Sequence, residues 1–542
     1  MKVRLKFLLP MVVVVGLLTT AFVGSNGGRY FEIAKNLEIF SNLYKEVNAN
    51  YVDELEPGKL MRVGIDAMLK SLDPYTNYIA ESDIEGYRFY NDGSYHGIGA
   101  IYKNIGDYIT ITDIYESSPA SKSGLKVGDV VIAIDGKSTK GKNFDAIESI
   151  LKGSAGSLIN VTVQRAGKEQ NISMKREEVD IKNVPHYSMV SPEVGYIVLS
   201  TFTQNAGENI ANAINDLKKN NPGMKSIILD LRGNGGGLLN EAIRICNLFT
   251  PKDVPIVTTK GKIQEQDITY KTMASPLDEK IPIAILIDKN SASASEIVSG
   301  TIQDLDRGVI IGQQSYGKGL VQNTKDIGYN AKVKITTSRY YIPSGRCIQA
   351  VNYKDGEPVH VPDNQRAVFK TANGRKVLDG GGVKPDIVME KQKQSALIKT
   401  LIDENYIFDF VTEYCSNKTQ IDSADKFHFM DWDKFTTFLD KRKFEYQTES
   451  EKALTKLKEE ATKENRGLDA DLKLIESKLK ADKKMAVQNS KNQIVDLIEQ
   501  EIIGRYYYHK GKIIIGLRND KEIVEAISIL NDPKRYNKIL NK

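Results

Sequence analysis

Cysteine, histidine and tryptophan are scarce in this chain of 542 residues, which contains three, five and one of them. The cysteines, Cys246, Cys347 and Cys415, are scattered and odd in number, so they form neither a zinc ligand set nor a disulfide framework. A strong charge imbalance is also missing, because the net charge is only +5. Nucleic-acid binders usually carry more positive charge, and carry it in patches. We therefore expect no metal, no cofactor and no nucleic-acid partner.

Long hydrophobic runs are missing too, except for one at the amino terminus. An uncharged, mostly apolar run covers residues 7–23 and follows the basic residues Lys2, Arg4 and Lys6. This order is typical of an export signal, and the length lies between that of a cleaved signal and that of a spanning helix. Residues 1–28 are therefore predicted to be a signal peptide or a membrane anchor. The body of the protein is expected to be exported, either periplasmic or anchored to the membrane and facing the periplasm or the cell exterior.

Length and local pattern predict several domains. At roughly 150 residues per domain, 542 residues correspond to three or four domains. Residues 29–92 have apolar positions at helical spacing, with a turn at residues 72–76, and predict a helical segment. Residues 93–180 contain short β-like runs between glycine and serine-proline turns, and predict a compact β-rich module. Residues 181–390 alternate strand-like runs with helical patterns, which favours an α/β core.

The remaining part of the chain, residues 391–542, carries no pattern to which chemistry can be assigned. Its charged residues 441–484 have the spacing of one amphipathic helix with a solvated face. Residues 494–517 regain apolar character and are predicted to dock onto the core as a helix and a hairpin. We expect this extension to be mostly helical.

The β-rich module resembles a PDZ domain. Gly97, Ile98 and Gly99 precede a strand, and the segments 118–131 and 134–136 follow in the order of such domains. A glycine-containing loop exposes N–H groups that can bind a terminal carboxylate, while the strand edge accepts an extended peptide. The resemblance implies that these three residues bind the carboxyl-terminal tails of proteins or peptides. An ordinary β-turn without a ligand remains the alternative.

A strand that runs directly into glycines marks the first chemically informative segment of the core. Residues 230–239 have this order and then open a helix. Without side chains in the way, N–H groups at the helix start can approach an anion or a developing oxyanion closely. The phosphate-binding pattern is absent, because no Gly-Lys-Ser/Thr ending follows the glycines. A purely structural turn remains an equal alternative.

Two further segments contain a serine and a lysine in unusual surroundings. Ser293 stands among small residues directly after the strand-like run 283–287, which exposes its hydroxyl. The spacing from Ser293 to Glu296 is also that of an ordinary capping box. Lys318 stands between two glycines and beside apolar residues, where loss of hydration would make it a general base. A lysine in a surface loop is the more common case.

Together, these segments contain the parts of a serine–lysine hydrolase: a serine after a strand, a lysine 25 residues later, and a glycine-rich N–H cradle. In sequence and in order the chain resembles the carboxyl-terminal processing proteases, the tail-specific endopeptidase family. With the PDZ-like insert, the resemblance covers roughly residues 35–390. The matching segments of the core are residues 230–239, 291–297, 316–322, 338–346 and 381–387.

The resemblance implies a role for each matching side chain. Ser293 is then the nucleophile, Lys318 is its general base, and Gln322 orients the lysine. Glu296 is a supporting polar residue. The implied function is that of a serine endopeptidase that recognises protein tails through its PDZ domain and cleaves exported or envelope proteins.

The resemblance also implies backbone and PDZ contributions. The N–H groups of Gly237 and Ala294 would form the oxyanion hole. Arg165 matches a PDZ arginine that the family uses in activation, and we group it with the peptide-binding residues. Homo-oligomers and membrane association through the amino-terminal segment are further expectations.

Two other functions compete with this interpretation. A Ser-His-Asp enzyme is conceivable because His186 and Asp230 both lie in or near the core, although no Gly-x-Ser-x-Gly motif accompanies them. A catalytically silent PDZ scaffold would only bind peptide tails. The presence of the serine, the lysine and the glutamine together argues against the scaffold.

Overall fold

The computed structural model describes residues 8–84, 86–87, 93–390, 394–416, 418–464 and 467–542, with side chains from residue 28 onward except at residue 484. The chain divides into two compact units, residues 1–78 and 79–542. Strand β1, Asn77–Ile79, lies at the sequence boundary between them. The second unit contains the PDZ-like module, the α/β core and the carboxyl-terminal extension.

The first unit consists of two helices and a turn. Helix α1 covers Leu8–Asn50 and helix α2 covers Pro57–Lys70, which begins at a proline because the first helical position needs no N–H donor. The predicted turn follows, where Asp73 Oδ1 accepts the N–H groups of Tyr75 and Thr76. Among the described residues no helix is both long and apolar enough for a membrane span. The export segment predicted at residues 1–28 falls almost entirely outside the described side chains and stays a prediction.

The PDZ-like module is a twisted antiparallel sheet with two short helices. Its first and last strands pair with each other, with Ser94 opposite Asp180. The chain therefore enters and leaves the module at the same place. The remaining strands form a sheet in the order β3-β4-β5-β7-β8, with β6 beside β5. The elements are β2 Ser94–Gly97, β3 Ala100–Ile105, β4 Tyr108–Ile114, α3 Pro119–Lys122, β5 Val130–Ile134, β6 Lys137–Ser138, α4 Phe144–Leu151, β7 Leu158–Arg165, β8 Lys168–Lys175 and β9 Glu177–Asp180.

The α/β core is built on a sheet of strands in the order β10-β11-β12-β15-β16-β23. Strand β10 is antiparallel to β11, and the other pairs are parallel. The carboxyl ends of β12, β15 and β16 therefore meet at one edge, which is where open α/β sheets bind ligands. The elements are β10 His186–Ser191, β11 Val194–Val198, α5 Ala206–Asn220, β12 Ser226–Asp230, α6 Leu239–Phe249, β15 Ile283–Ile287, α7 Ala294–Asp304, β16 Val309–Gly312 and β23 Ile387–Val388.

A second sheet stands beside this edge. In it, β18 pairs with both β13 and β17, and β13 pairs with β14. Two small antiparallel pairs, β19 with β20 and β21 with β22, complete the strands of the core. The bounds are β13 Pro255–Gly261, β14 Ile268–Lys271, β17 Leu320–Gly328, β18 Ala331–Tyr341, β19 Val351–Lys354, β20 Glu357–His360, β21 Val368–Lys370 and β22 Lys376–Leu378.

The carboxyl-terminal extension is helical, which confirms its predicted class. The amphipathic helix expected over residues 441–484 is a pair of helices, and Leu454 and Ala461 of α11 are buried with Leu472 of α12. The hairpin expected near residue 510 is helical: α13 breaks at Tyr508, and Gly511 after the break packs against Ile503 before it. The elements are α8 Ala396–Asp403, α9 Tyr406–Cys415, α10 Trp432–Lys441, α11 Glu449–Lys463, α12 Asp469–Asn489, α13 Lys491–Gly516, α14 Lys521–Leu530 and α15 Pro533–Ile539.

Candidate active site

Ser293 occupies a strained turn between strand β15 and helix α7. Its φ of 55° and ψ of −113° lie outside the regions that residues with a Cβ ordinarily adopt. Such strain is kept only where the surroundings impose it, and it is common at functional sites. The Ala292 N–H donates to the Asn234 carbonyl oxygen at 3.0 Å, which ties the turn to the glycine segment after β12. Ser293 itself is half-buried, while its neighbours Ala292 and Ala294 are buried.

Glu296 connects the serine turn with the lysine loop. Its Oε2 accepts the N–H groups of Ser293 and Lys318, each at 2.8 Å. Its Oε1 accepts the N–H of Gly317 at 2.7 Å and the hydroxyl of Ser315 at 2.5 Å. The side chain has no solvent exposure, and this burial raises the pKa of Glu296 to about 7 against the lowering effect of the four hydrogen bonds. Glu296 therefore changes charge near neutral pH.

Lys318 is held by its glycine neighbours. Gly317 has a φ of 86°, and a Cβ there would lie 2.4 Å from the Ala350 Cβ. A Cβ on Gly319 would lie 2.7 Å from the Gln349 N atom. The loop therefore packs against its surroundings at a distance that only glycine permits. Lys318 itself is half-buried.

Tyr340 of strand β18 contacts the candidate site, although the sequence analysis assigned it no role. Its hydroxyl lies 3.1 Å from the Ser293 carbonyl oxygen and is also hydrogen-bonded to the Lys318 carbonyl oxygen. The side chain is almost fully buried. Tyr340 therefore provides a second link between the serine turn and the lysine loop. It lies 47 residues after Ser293 in a strand, so no local motif connects the two.

The glycine segment after β12 packs directly against the serine turn. A Cβ on Gly236 would lie 2.7 Å from the Ala292 carbonyl oxygen, and one on Gly237 would lie 2.5 Å from the Phe202 carbonyl oxygen. Phe202 pairs with this segment through two backbone hydrogen bonds: its N–H donates to the Gly236 carbonyl oxygen, and its carbonyl oxygen accepts the Leu238 N–H. The Gly237 N–H takes part in neither bond. Ala294, the first residue of α7, has no acceptor for its N–H within the helix.

A cavity of about 150 Å³ lies beside Ser293, and we call it the nucleophile pocket. Gln322 lines it, and its Nε2 donates to the Thr336 hydroxyl at 3.3 Å. The orientation of Lys318 by Gln322 stays a prediction. The other residues of the lining are Tyr87, Gly237, Leu238, Leu239, Ala294, Ile297, Leu320, Val321, Thr324, Lys334 and Tyr340. The pocket therefore brings both predicted oxyanion residues together with Ser293, the predicted nucleophile.

The PDZ-like module has a groove of about 180 Å³ that Ile98 lines, together with residues of β3 and α4. Gly97 ends β2, and Gly99 has a φ of 75°. Arg165 does not line this groove. Its guanidinium donates to both Asp129 carboxylate oxygens at 2.6 Å. Its part in peptide binding and in activation stays a prediction.

The structure does not bring together a Ser-His-Asp triad among the described residues. His186 Nε2 lies 3.0 Å from the Ser188 hydroxyl, on the antiparallel strand β10. The Asp230 carboxylate accepts the Tyr196 hydroxyl at 2.8 Å and the Arg232 guanidinium. Neither residue contributes to the nucleophile pocket. The competing triad is therefore not supported.

Family models match three parts of the chain. Residues 193–358 match peptidase family S41, residues 96–175 match a PDZ domain, and residues 397–530 match the C-terminal helical domain of a probable PDZ-protease. These segments coincide with the α/β core, the β-rich module and the helical extension described above. The chain is therefore similar to peptidase family S41 in its α/β core and to PDZ domains in its β-rich module. Together the three matches support a protease with a PDZ domain.

Individual relatives and one solved structure are also similar to the chain. The chain is 31% identical over 331 residues to a probable CtpA-like serine protease of Staphylococcus aureus (strain COL), covering 61% of this chain and 66% of the relative. A protein with the same description from Staphylococcus haemolyticus (strain JCSC1435) is 31% identical over 323 residues, covering 59% and 64%. The chain thus spans just under two thirds of these relatives. A photosystem II D1 C-terminal processing protease is similar at 24% identity, over 65% of this chain and 92% of that one, with a TM-score of 0.37.

Proposed function

We propose that this chain is a serine peptidase in which Ser293 is the nucleophile and Lys318 is the general base. The observation that supports the proposal most directly is the Glu296 carboxylate, whose Oε2 accepts the N–H groups of both residues. One buried carboxylate therefore holds the backbone of Ser293 and the backbone of Lys318 in place. Tyr340, within hydrogen-bonding distance of both carbonyl oxygens, adds a second constraint.

The chemistry of this pair is acyl transfer. The neutral Lys318 amine takes the proton from Ser293 Oγ while the oxygen attacks the peptide carbonyl carbon. The resulting ammonium protonates the leaving amine as the peptide C–N bond breaks, which leaves an acyl group on Ser293. Water then attacks the ester carbonyl, Lys318 takes the proton from the water, and it returns that proton to Ser293 Oγ as the acid product leaves.

The oxyanion of each tetrahedral intermediate would be bound by two backbone N–H groups. Ala294 directly follows the nucleophile at the start of α7, and Gly237 lies in the same pocket. Donors held by the backbone need no rearrangement when charge develops, so they stabilise the transition state more than the substrate. The close packing of Gly236 and Gly237 explains why this segment is rich in glycine.

The substrates we propose are carboxyl-terminal tails of exported or envelope proteins. A tail would bind to the PDZ groove as an added strand, with its terminal carboxylate at the loop of Gly97, Ile98 and Gly99. We also propose that residues 1–28 are a signal peptide or a membrane anchor, and that the protein forms homo-oligomers. The bound tail would be both substrate and activator, because its binding energy favours the aligned arrangement of the site.

Peptide hydrolysis by purified protein tests the proposal. We expect Ser293→Ala and Lys318→Ala each to lower kcat by several powers of ten, because the two residues act as a unit. Lys318→Arg should be equally inactive, since a guanidinium stays protonated. Amidating the C-terminus of the substrate should lower kcat/KM.

Two outcomes would contradict parts of this proposal. Unchanged hydrolysis in Ser293→Ala would exclude the nucleophile. Peptide binding without any hydrolysis in the unmodified protein would instead favour the silent PDZ scaffold.

A further inference from the structure

Asn234 lies in the glycine segment after β12 and is fully buried. Its side-chain amide bridges two other parts of the core. The Nδ2 atom donates to the carbonyl oxygen of Leu199, the residue after β11, at 2.8 Å, and Oδ1 accepts the Gly236 N–H at 2.9 Å. These backbone partners fix the orientation of the amide, because only its nitrogen can donate to a carbonyl and only its oxygen can accept an N–H.

The backbone carbonyl of Asn234 holds the serine turn. It accepts the Ala292 N–H at 3.0 Å and the Ser295 hydroxyl at 2.8 Å. These two donors come from either side of Ser293 in the chain. Ser295 is fully buried, so water cannot replace Asn234 as its partner. Asn234 therefore has its carbonyl tied to the serine turn and its side chain tied to the glycine segment.

The two proposed oxyanion donors lie directly beyond these contacts. The Gly237 N–H follows Gly236, whose own N–H binds the Asn234 side chain, and the Ala294 N–H belongs to the turn that the Asn234 carbonyl holds. A Cβ on Gly236 would lie 2.9 Å from the Ala294 N atom, so the two segments are in contact. Oxyanion donors act at about 2.7–3.1 Å from the developing charge, so a shift of either segment weakens one of the two bonds.

We propose that Asn234 is the positioning residue that sets the spacing between the Gly237 and Ala294 N–H groups. The inference rests on the proposed function, because it requires these two groups to form the oxyanion hole. Asn234 does not line the nucleophile pocket and takes no part in bond breaking. An amide suits this position because the side chain must donate to one backbone group and accept from another at the same time.

The Asn234→Asp variant tests the inference, because the hydrogen bonding of the new side chain depends on pH. A protonated carboxyl can donate to the Leu199 carbonyl and accept the Gly236 N–H, as the amide does, whereas a carboxylate can only accept. Burial raises the pKa of the introduced carboxyl toward neutral pH. We expect kcat of Asn234→Asp, divided by kcat of the unmodified protein at the same pH, to fall about tenfold or more between pH 5 and pH 9. The KM should change much less, since the donors act mainly in the transition state.

Dividing by the unmodified protein removes the titration of groups that both proteins share. The charged groups on the elements around Asn234 are Asp230, Arg232, Asp288, Glu296 and the proposed base Lys318. All of them are unchanged in Asn234→Asp. A pH trend in the kcat ratio therefore reports on the introduced carboxyl.

Asn247→Asp is the matched control. The Asn247 amide has the same pattern of bonds, because its Nδ2 donates to the Ala274 carbonyl oxygen at 2.7 Å and its Oδ1 accepts the Met273 N–H at 2.9 Å. Asn247 is half-buried in α6 and does not line the nucleophile pocket. Its kcat ratio should not change with pH.

A second variant keeps the inference testable if Asn234→Asp does not fold. Ser295→Ala removes only the hydroxyl bond to the Asn234 carbonyl, and it should lower kcat about fivefold, the size of one hydrogen bond, with little change in KM. An unchanged kcat in Ser295→Ala overturns the inference.

The outcomes separate this inference from the proposed function. A kcat ratio for Asn234→Asp that stays constant or rises with pH overturns the positioning role and leaves the peptidase intact. A uniformly low ratio counts as such a result, because it reports a general loss of structure. If the unmodified protein hydrolyses no peptide, the proposed function fails and the inference fails with it.

Discussion

Replacing Glu296 by glutamine should change how the active site responds to pH. The carboxylate accepts four donors from Ser293, Ser315, Gly317 and Lys318, and it is fully buried. Burial is the larger effect and raises the pKa to about 7, from the ordinary value of 4.5. A glutamine cannot ionise and can accept only through its carbonyl oxygen, so Glu296→Gln removes the charge together with about half of the acceptor capacity.

The sign and size of the effect follow from proton linkage. Between pH 4.5 and about 7 the folded site holds a proton that an opened, hydrated Glu296 has released. The closed site binds more protons than the open one, so its stability falls as pH rises through this window. Below pH 4.5 both forms are protonated and the closed site has its full stability. At 1.36 kcal/mol per pH unit, the loss above pH 7 amounts to about 3 kcal/mol.

Amide hydrogen exchange measures this loss locally, which matters because a multidomain chain does not unfold in one step. After correction for intrinsic exchange, protection of the Gly317 and Lys318 amides should fall by roughly fifty- to hundredfold between pH 5 and pH 8, which is most of the loss of about 3 kcal/mol, because part of it has already occurred at pH 5. In Glu296→Gln the same amides should show no such trend. Glu241→Gln is the matched control, because Glu241 is also buried but accepts the distant Gly207 N–H. Constant or rising protection in the unmodified protein would refute the argument, since it would mean that the four donors outweigh burial.

Two further predictions concern the glycine segment and the PDZ contact. Gly237→Ala should lower kcat about a hundredfold or more in steady-state assays, because a Cβ would lie 2.5 Å from the Phe202 carbonyl oxygen and shift an oxyanion donor; an unchanged kcat would remove Gly237 from the oxyanion hole. Lys512→Met should increase hydrogen exchange in the PDZ strand of Asp113, whose carboxylate lies 2.8 Å from the Lys512 ammonium. Turnover of short peptides should stay unchanged in Lys512→Met, and a loss of turnover would show that this contact acts on the site.

Much of the site could be predicted because its motifs follow buried strands. Strand β15 was predicted with its observed bounds, Ile283–Ile287, and parallel strands bring the segments after their carboxyl ends together. The capping-box spacing pointed to Glu296, but only as an alternative to catalysis. In the structure Glu296 caps helix α7 and also belongs to the candidate site, since the carboxylate that accepts the Ser293 N–H also accepts the Lys318 N–H.

The contact of Tyr340 with the site was missed because it depends on strand pairing. Tyr340 lies on β18 in the matching segment 338–346, but nothing in that segment indicates that its hydroxyl reaches the distant serine turn. The helix pair of the extension was missed for a related reason, because Leu454 and Leu472 also fit the spacing of one continuous helix. Gly467, with a φ of 64°, lies between the two helices and was the available signal for a helix end.

The carboxyl-terminal extension packs onto the α/β core that carries the candidate site. Its last helices cover the second face of the parallel sheet, where Ile523 and Ile529 are buried with strand residues, and the Tyr536 hydroxyl donates to the Ile283 carbonyl oxygen. Burying a side chain of this size stabilises by about 1.5–3 kcal/mol, so loss of these helices would expose this face of the sheet and destabilise the core. Earlier in the extension, helix α13 departs from helical geometry at Tyr508. The hydroxyl of Tyr508 lies 2.9 Å from the Ser121 hydroxyl of the PDZ module. The same extension therefore closes the sheet that presents Ser293 and holds the module proposed to deliver the substrate.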